Sequence, residues 1–156
     1  MKNKIYIHTD GSCNGNPGPG GWAAILTIPN VNGSQKREIS GYSNYTTNSR
    51  MEMTAIIEGL AVISAPGAEI EIITDSKFIV NAINKGQIKK WISNNWLKGN
   101  KEPIANKDLW QQLIALTNLF QVKFTWVKSH AYNAGNCRAD ELARAACIKT
   151  KPTKQK

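Results

Sequence analysis

The sequence predicts an α/β domain, a mixed five-stranded sheet flanked by helices. Three observations carry that prediction. Apolar segments with the period of a strand open the chain and return later, segments with the period of a helix separate them, and an Asn-Gly pair marks a hairpin early on. Lys4 to Thr9 forms a short apolar strand. GWAAILTIP and SQKREISGY form two more, joined at Asn32-Gly33, because Asn-Gly tolerates the positive φ that tight hairpins need. From Arg50 to Ser64 the residues Met53, Ile56, Ile57, Leu60 and Ile63 recur at helical spacing, and Pro66-Gly67 ends the run. GAEIEIITD returns to the strand pattern, and a helix between two strands favours parallel pairing through a right-handed crossover. Short helical stretches follow through Leu97. After a loop rich in Gly, Asn and Pro, a helix carries Leu109, Leu113, Leu116 and Phe120 on one stripe. VKFTWV alternates as the last strand. A closing helix, from about Asn136 to Ile148, places Ala139, Leu142, Ala143, Ala146 and Cys147 on one face.

With 156 residues, 41% of them hydrophobic and 20% charged, the chain suffices for one compact domain and leaves little room for a second. Residues 1–148 are assigned to that domain. The remaining stretch, 149–156, is KTKPTKQK, a basic tail with too little apolar surface to order. No run approaches the roughly 18 apolar residues of a membrane span, and MKNKIYIHTDGSC meets His8 and Asp10 too early for a signal-peptide core. Cys13, Cys137 and Cys147 are odd in number and form no Cys-x-x-Cys pair, which excludes a disulfide framework and a four-cysteine zinc site. A soluble cytoplasmic monomer is expected, with no membrane contact and no obligate protein partner.

The net charge of +9 is unevenly placed. Six lysines against Glu102 make the segment from Lys85 to Lys107 strongly basic, four lysines make the tail so, and the rest of the chain is neutral. That distribution points to a polyanionic partner. In KGQIKKWISNNWLKGNK the lysines alternate with Trp91 and Trp96, and aromatics beside cations can lie along a sugar-phosphate backbone. Tryptophans at helical spacing also serve as core, and the sequence leaves both jobs open.

Four carboxylates stand where element ends meet apolar faces. Asp10 and Asp75 follow apolar strands through the same Thr-Asp step, IYIHTD and IEIITD. If those strands are parallel neighbours, about 4.8 Å apart, the two acids converge where open α/β sheets gather ligands. Glu52 lies in register with Ile56, Gly59 and Ile63, beside a core-facing stripe, and Asp140 lies at the edge of the last helix's apolar face. Each acid also has an ordinary job: a turn before Gly11 for Asp10, a helix cap for Asp75, and a place near a helix dipole's positive end for Glu52 and likewise for Asp140. Taken together they form an oxygen-only set suited to Mg²⁺ or Mn²⁺ rather than zinc. His130, in the loop SHAYNAGN, titrates near neutral pH as proton transfer requires. His8, inside the first strand, is assigned a structural role.

TDGSCNGNPGPGGWAAIL, TTNSRMEMTAII, ITDS and WVKSHAYNAGNCRADELARAA occur in that order between Lys4 and about Ile148. In these pieces the chain resembles the type 1 ribonucleases H of bacteria. The resemblance implies a ribonuclease H-like fold and endonucleolytic hydrolysis of the RNA strand of an RNA–DNA hybrid. It implies two Mg²⁺ ions, with Mn²⁺ as a substitute, and products with 5′-phosphate and 3′-hydroxyl ends. It assigns the metal to Asp10, Glu52, Asp75 and Asp140, and proton transfer to His130. Substrate contacts fall on Gly11, Ser12, Cys13, Asn14, Asn16 and Asn48 in the minor groove, where the 2′-hydroxyl separates RNA from DNA. Thr47 and Asn106 match the DNA phosphate pocket, with helix capping as the other job for Asn106, and the Trp91–Trp96 segment matches a protruding substrate-binding handle. Binding through such a handle is expected to be sequence-independent and steeply salt-dependent. Tyr45, Ser49 and Lys77 depart from the family's usual residues, and these changes are expected to tune affinity more than chemistry.

Overall fold

The structure, a computed structural model, describes residues 4–128 and 134–148. Its sheet begins with three antiparallel strands, β1 (Ile5–Cys13), β2 (Gly18–Asn30) and β3 (Gly33–Thr46). Helix α1 (Asn48–Ala61) then crosses to β4 (Glu69–Thr74), which pairs parallel with β1. Helices α2 (Lys77–Asn84), α3 (Gln87–Ser93) and α4 (Lys107–Thr117) precede β5 (Gln121–Trp126), parallel to β4, and α5 (Ala134–Ile148) closes the fold. The sheet has five strands in the order β3-β2-β1-β4-β5, the mixed architecture that the sequence predicts.

Strand alternation assigns the two faces. Ile7 and Ala24 meet α1 at Gly59, where an added Cβ would lie 3.1 and 3.3 Å from their side chains. Around them Leu26, Met53, Ile56, Leu60, Ile72, Trp110 and Leu113 are fully or almost fully buried, each a side chain whose removal from water contributes about 1.5–3 kcal/mol. Gly21, of opposite parity to Ala24 on β2, faces the other way, where a Cβ would lie 2.3 Å from the Ala143 carbonyl and 2.5 Å from the Cys147 nitrogen. Helix α5 therefore rests with its backbone directly on β2, and the small residues Ala139, Ala143 and Ala146 permit that approach.

Several boundaries differ from the sequence expectation. β1 runs on past Thr9 to Cys13 because it keeps pairing with β2, Asp10 opposite Ala23 and Cys13 opposite Gly20, after its parallel pairing with β4 has stopped at His8. The hairpin connection is Val31-Asn32, with Gly33 as the first residue of β3 at φ 117°. Helix α1 starts at Asn48 rather than Arg50, because Thr47 caps it by accepting from the Arg50 N–H at 3.2 Å. Phe120 lies beyond the end of α4 at Thr117. The handle segment divides its residues between two jobs. Its lysines are exposed, whereas Trp91 and Trp96 are half-buried against the core, with ring centroids 6.1 Å apart and Trp91 5.2 Å from Trp110. Trp96 adopts φ 61°, rare for a bulky residue, and its N–H donates to the Trp91 carbonyl at 2.6 Å. Residues 149–156, assigned to a tail, and His130 lie outside the described residues.

Candidate active site

The β1–β4 register brings the first two acids together. His8 stands opposite Ile73, and continuing that register by two residues sets Asp10 opposite Asp75 on the same face. Glu52 and Asp140 join them from α1 and α5, and all four line one open polar cleft of about 290 Å³. The ordinary jobs foreseen for these acids are absent. Asp10 lies inside a strand, paired with Ala23, rather than in a turn. Ser76, not Asp75, caps α2, accepting from the Ile79 N–H at 3.4 Å. With α1 beginning at Asn48 and α5 at Ala134, Glu52 and Asp140 lie beyond the first turns, where the dipole has little left to offer an acid.

Gly11 controls the approach of α1. A Cβ there would lie 2.5 Å from the Glu52 nitrogen and 2.6 Å from the Met51 carbonyl carbon, so the backbones of β1 and α1 touch at this point. Asp10, only 6% exposed, shows the electrostatic result. Burial, a hydrogen bond with Asp140 and the charges of Asp75 and Asp140 push its carboxyl up to about 9. Glu52 is pushed up to about 7, chiefly by burial and then by Asp75, against a hydrogen bond from Ser76. Asp140 also pairs with Arg144 at 3.0 Å. Among the described residues, no three His, Cys, Asp or Glu side chains are gathered around one ion-sized point. The donor set still suits a hard divalent cation. It is all oxygen, and its first two members are held above their ordinary range by burial and by neighbouring acids, a strain that a cation would relieve.

A stability experiment tests this electrostatic description. The metal-free fold keeps protons on Asp10 and Glu52 that the unfolded chain releases near 3.8 and 4.5. Their contribution to stability is therefore fully present below those values and is lost as pH rises through about 7 and about 9. In EDTA the melting temperature is expected to fall between about pH 5 and about pH 9, and saturating Mg²⁺ is expected to flatten that fall. A flat or rising profile in EDTA would contradict the raised carboxyls.

The remaining candidates lie in two groups. Gly11, Ser12, Cys13 and Asn48 line the cleft beside the acids. Asn16 adjoins them, its side-chain oxygen accepting from the Asn48 N–H at 2.9 Å, and the Asn14 N–H donates to the Pro19 carbonyl at 2.8 Å. Thr47 is committed to capping α1. Asn106 precedes α4 at φ 62° and makes no side-chain capping bond; its oxygen accepts instead from Arg50 at 3.2 Å. Trp91 and Trp96 belong to the separate handle segment.

Sequence reasoning missed Arg144, which lines the cleft, although its spacing four residues after Asp140 was a readable sign of pairing. It also missed Arg50, whose guanidinium makes two bonds to Asp108, 3.0 and 2.7 Å, and ties α1 to α4. Lys77 lies 5.5 Å from the ring centre of Trp126, whose indole N–H donates to the Asp75 carbonyl at 3.1 Å.

Comparison with known proteins agrees with this architecture. The family profile for RNase H matches residues 2–148. A Ribonuclease H of Chlorobium limicola is 47% identical over 146 residues, covering 94% of this chain and 97% of that protein. One from Chlorobium chlorochromatii is 48% identical over 150 residues, covering 96% and 99%. Among solved structures, a type 1 RNase H with the type 2 active-site motif superposes with a TM-score of 0.85 at 27% identity, over 97% of this chain and 75% of that one. An RNase H1 in complex with an RNA/DNA hybrid superposes with a TM-score of 0.65 at 25% identity, over 93% and 97%. With the profile spanning nearly all of the sequence and close to half of it identical to named relatives, the chain belongs to the ribonuclease H family.

Proposed function

We propose that this chain is a metal-dependent endonuclease that hydrolyses the RNA strand of RNA–DNA hybrids and leaves 5′-phosphate and 3′-hydroxyl ends. One observation carries the reading: Asp10, Glu52, Asp75 and Asp140, from four separate regions of the chain, line one cleft, and burial and neighbouring acids raise the carboxyls of Asp10 and Glu52. A phosphodiester resists attack because its anionic oxygens repel a nucleophile. Two divalent ions, when bound, supply Lewis acidity that activates water and neutralises the leaving 3′-oxygen. The four carboxylates would hold those ions, Mg²⁺ or Mn²⁺, once Asp10 gives up its proton and Asp140 exchanges Arg144 for a ligand role. The complex of a related RNase H1 with an RNA/DNA hybrid supports the choice of substrate.

In this reading residues 1–148 act as one catalytic unit. The backbone from Gly11 to Asn14, with Asn16 and Asn48, would meet the hybrid's minor groove next to the acids. Thr47 and Asn106 would approach the DNA strand, and His130 would exchange a proton with water or the leaving group. The exposed lysines around Trp91 and Trp96 would hold the backbone without reading bases. Among the described residues no helix is long and apolar enough to cross a membrane. A cytoplasmic monomer working on nucleic acid is the setting this reading proposes.

The test is cleavage of a labelled hybrid with Mg²⁺, with EDTA and with Asp75→Asn, beside RNA–RNA and DNA–DNA duplexes. Cutting of the hybrid's RNA strand alone, dependent on Mg²⁺ and lost in the variant, is the expected result. Cutting of duplex DNA, or tight binding without any cutting, would replace this reading with a DNA-directed nuclease or a binding module.

A further inference from the structure

We propose that His8 is a positioning residue for the acid cleft: its imidazole is the seat on which the first turn of α5 rests, and it thereby sets where Asp140 stands against Asp10. The proposal rests on the nuclease reading for its functional consequence, but its geometry stands alone. His8 precedes Asp10 by two residues on β1, so both side chains leave the same face of the sheet. Gly135, in the first turn of α5, lies so close to the ring that a Cβ would fall 2.5 Å from His8 Cγ and 2.6 Å from both Cδ2 and Nδ1.

Two locally unfavourable choices meet at this contact. Glycine weakens a helix relative to alanine, and Gly135 has no left-handed φ to justify it. The Nδ1 of His8 is buried without a hydrogen-bond partner, a penalty that a purely apolar ring would avoid. The glycine is explained by the ring's need for room. The ring is explained by what it supports. Helix α5 touches the sheet backbone again at Gly21, through Ala143 and Cys147, and Asp140 lies between the two contacts. A helix held at two points is a stiff beam, so raising or dropping its first turn moves Asp140 relative to Asp10, its hydrogen-bond partner.

The experiment compares His8→Ala, His8→Phe, Gly135→Ala and the double variant His8→Ala/Gly135→Ala. Each is measured by kcat and KM on the hybrid and by calorimetric titration with Mg²⁺, which reads the acid cleft without turnover. Gly135→Ala is expected to lower kcat about 10- to 100-fold with KM within about twofold, and to weaken Mg²⁺ binding about tenfold. Removing the ring in the double variant is expected to restore most of both losses. His8→Ala alone, which adds no clash and guards against a Gly135→Ala chain that does not fold, is expected to lose several-fold in kcat. His8→Phe, which keeps a ring on the seat, is expected to recover it. Unchanged kcat and Mg²⁺ affinity in His8→Ala, or a double variant no better than Gly135→Ala, would overturn the proposal. An inactive wild-type protein would instead sink the nuclease reading and leave the Mg²⁺ titration to decide the seat.

Discussion

Asp10→Asn is expected to lower kcat on an RNA–DNA hybrid at least about 10³-fold while raising the melting temperature of the metal-free protein. Lewis-acid stabilisation of a phosphoryl transition state amounts to several kcal/mol, and each 1.4 kcal/mol is about tenfold in rate, so disabling the ligand proposed at Asp10 reaches that size. The gain in stability follows from the same residue. Wild-type Asp10 is almost fully buried against Asp140 and near Asp75, and its carboxyl is pushed up to about 9. At neutral pH the chain must therefore take up a proton there as it folds, and a neutral amide of the same shape removes that requirement. The gain should shrink toward about pH 4, where the aspartate is protonated in both states. Hybrid cleavage and thermal denaturation in EDTA at several pH values check both halves. A variant with near-normal turnover, or one less stable than wild type at neutral pH, would contradict the assignment.

Gly11→Ala is the second large effect. The new methyl would need the space of the Glu52 nitrogen at 2.5 Å and the Met51 carbonyl carbon at 2.6 Å, and these are backbone atoms that no side-chain rotation can clear. Overpacking of this kind costs about 1–3 kcal/mol, and the helix that must yield carries Glu52. On the proposed nuclease reading, a displacement near 1 Å in the Glu52 carboxylate is expected to cost about 10²-fold in kcat. Gly99→Ala, with nothing within 4 Å of its added methyl, serves as the steric control for stability. Chemical denaturation and kcat measured well below the variant's melting temperature separate the two losses. Equal behaviour of the two variants would mean that α1 is not seated through Gly11.

Much of this could be read before any coordinates. The repeated Thr-Asp step named two acids, and the parallel β1–β4 pair brings them into one register, as expected. The strands and the longer helices follow from apolar periodicity because α1 and α5 bury one face against the sheet and α4 buries one against α1. Boundaries were less legible, since they depend on partners distant in sequence. β1 extends to Cys13 only because β2 continues beside it, and α1 begins two residues early because Thr47 supplies the cap. The double role of the handle segment was ambiguous for a different reason: tryptophan spacing is the same for a core ring and a binding ring, and only packing on Trp110 separates them. Arg144 was legible only as a partner four residues after Asp140, and the His8–Gly135 contact was invisible. A close approach between a strand ring and a helix backbone leaves no periodic trace in either segment.

The parallel register of β1 and β4 also makes the site an internal check on its own threading. Side chains alternate across a strand, so a slip of β4 by one residue would preserve the ladder's hydrogen bonds yet send Asp75 through to the α1 side of the sheet. Such a chain would be compact, its circular dichroism would be that of an α/β protein, and it would be chemically silent. On the proposed nuclease reading, turnover would thus count correctly threaded molecules, whereas spectroscopy counts every collapsed one, and the gap between the two after refolding would measure how often the strands pair out of step.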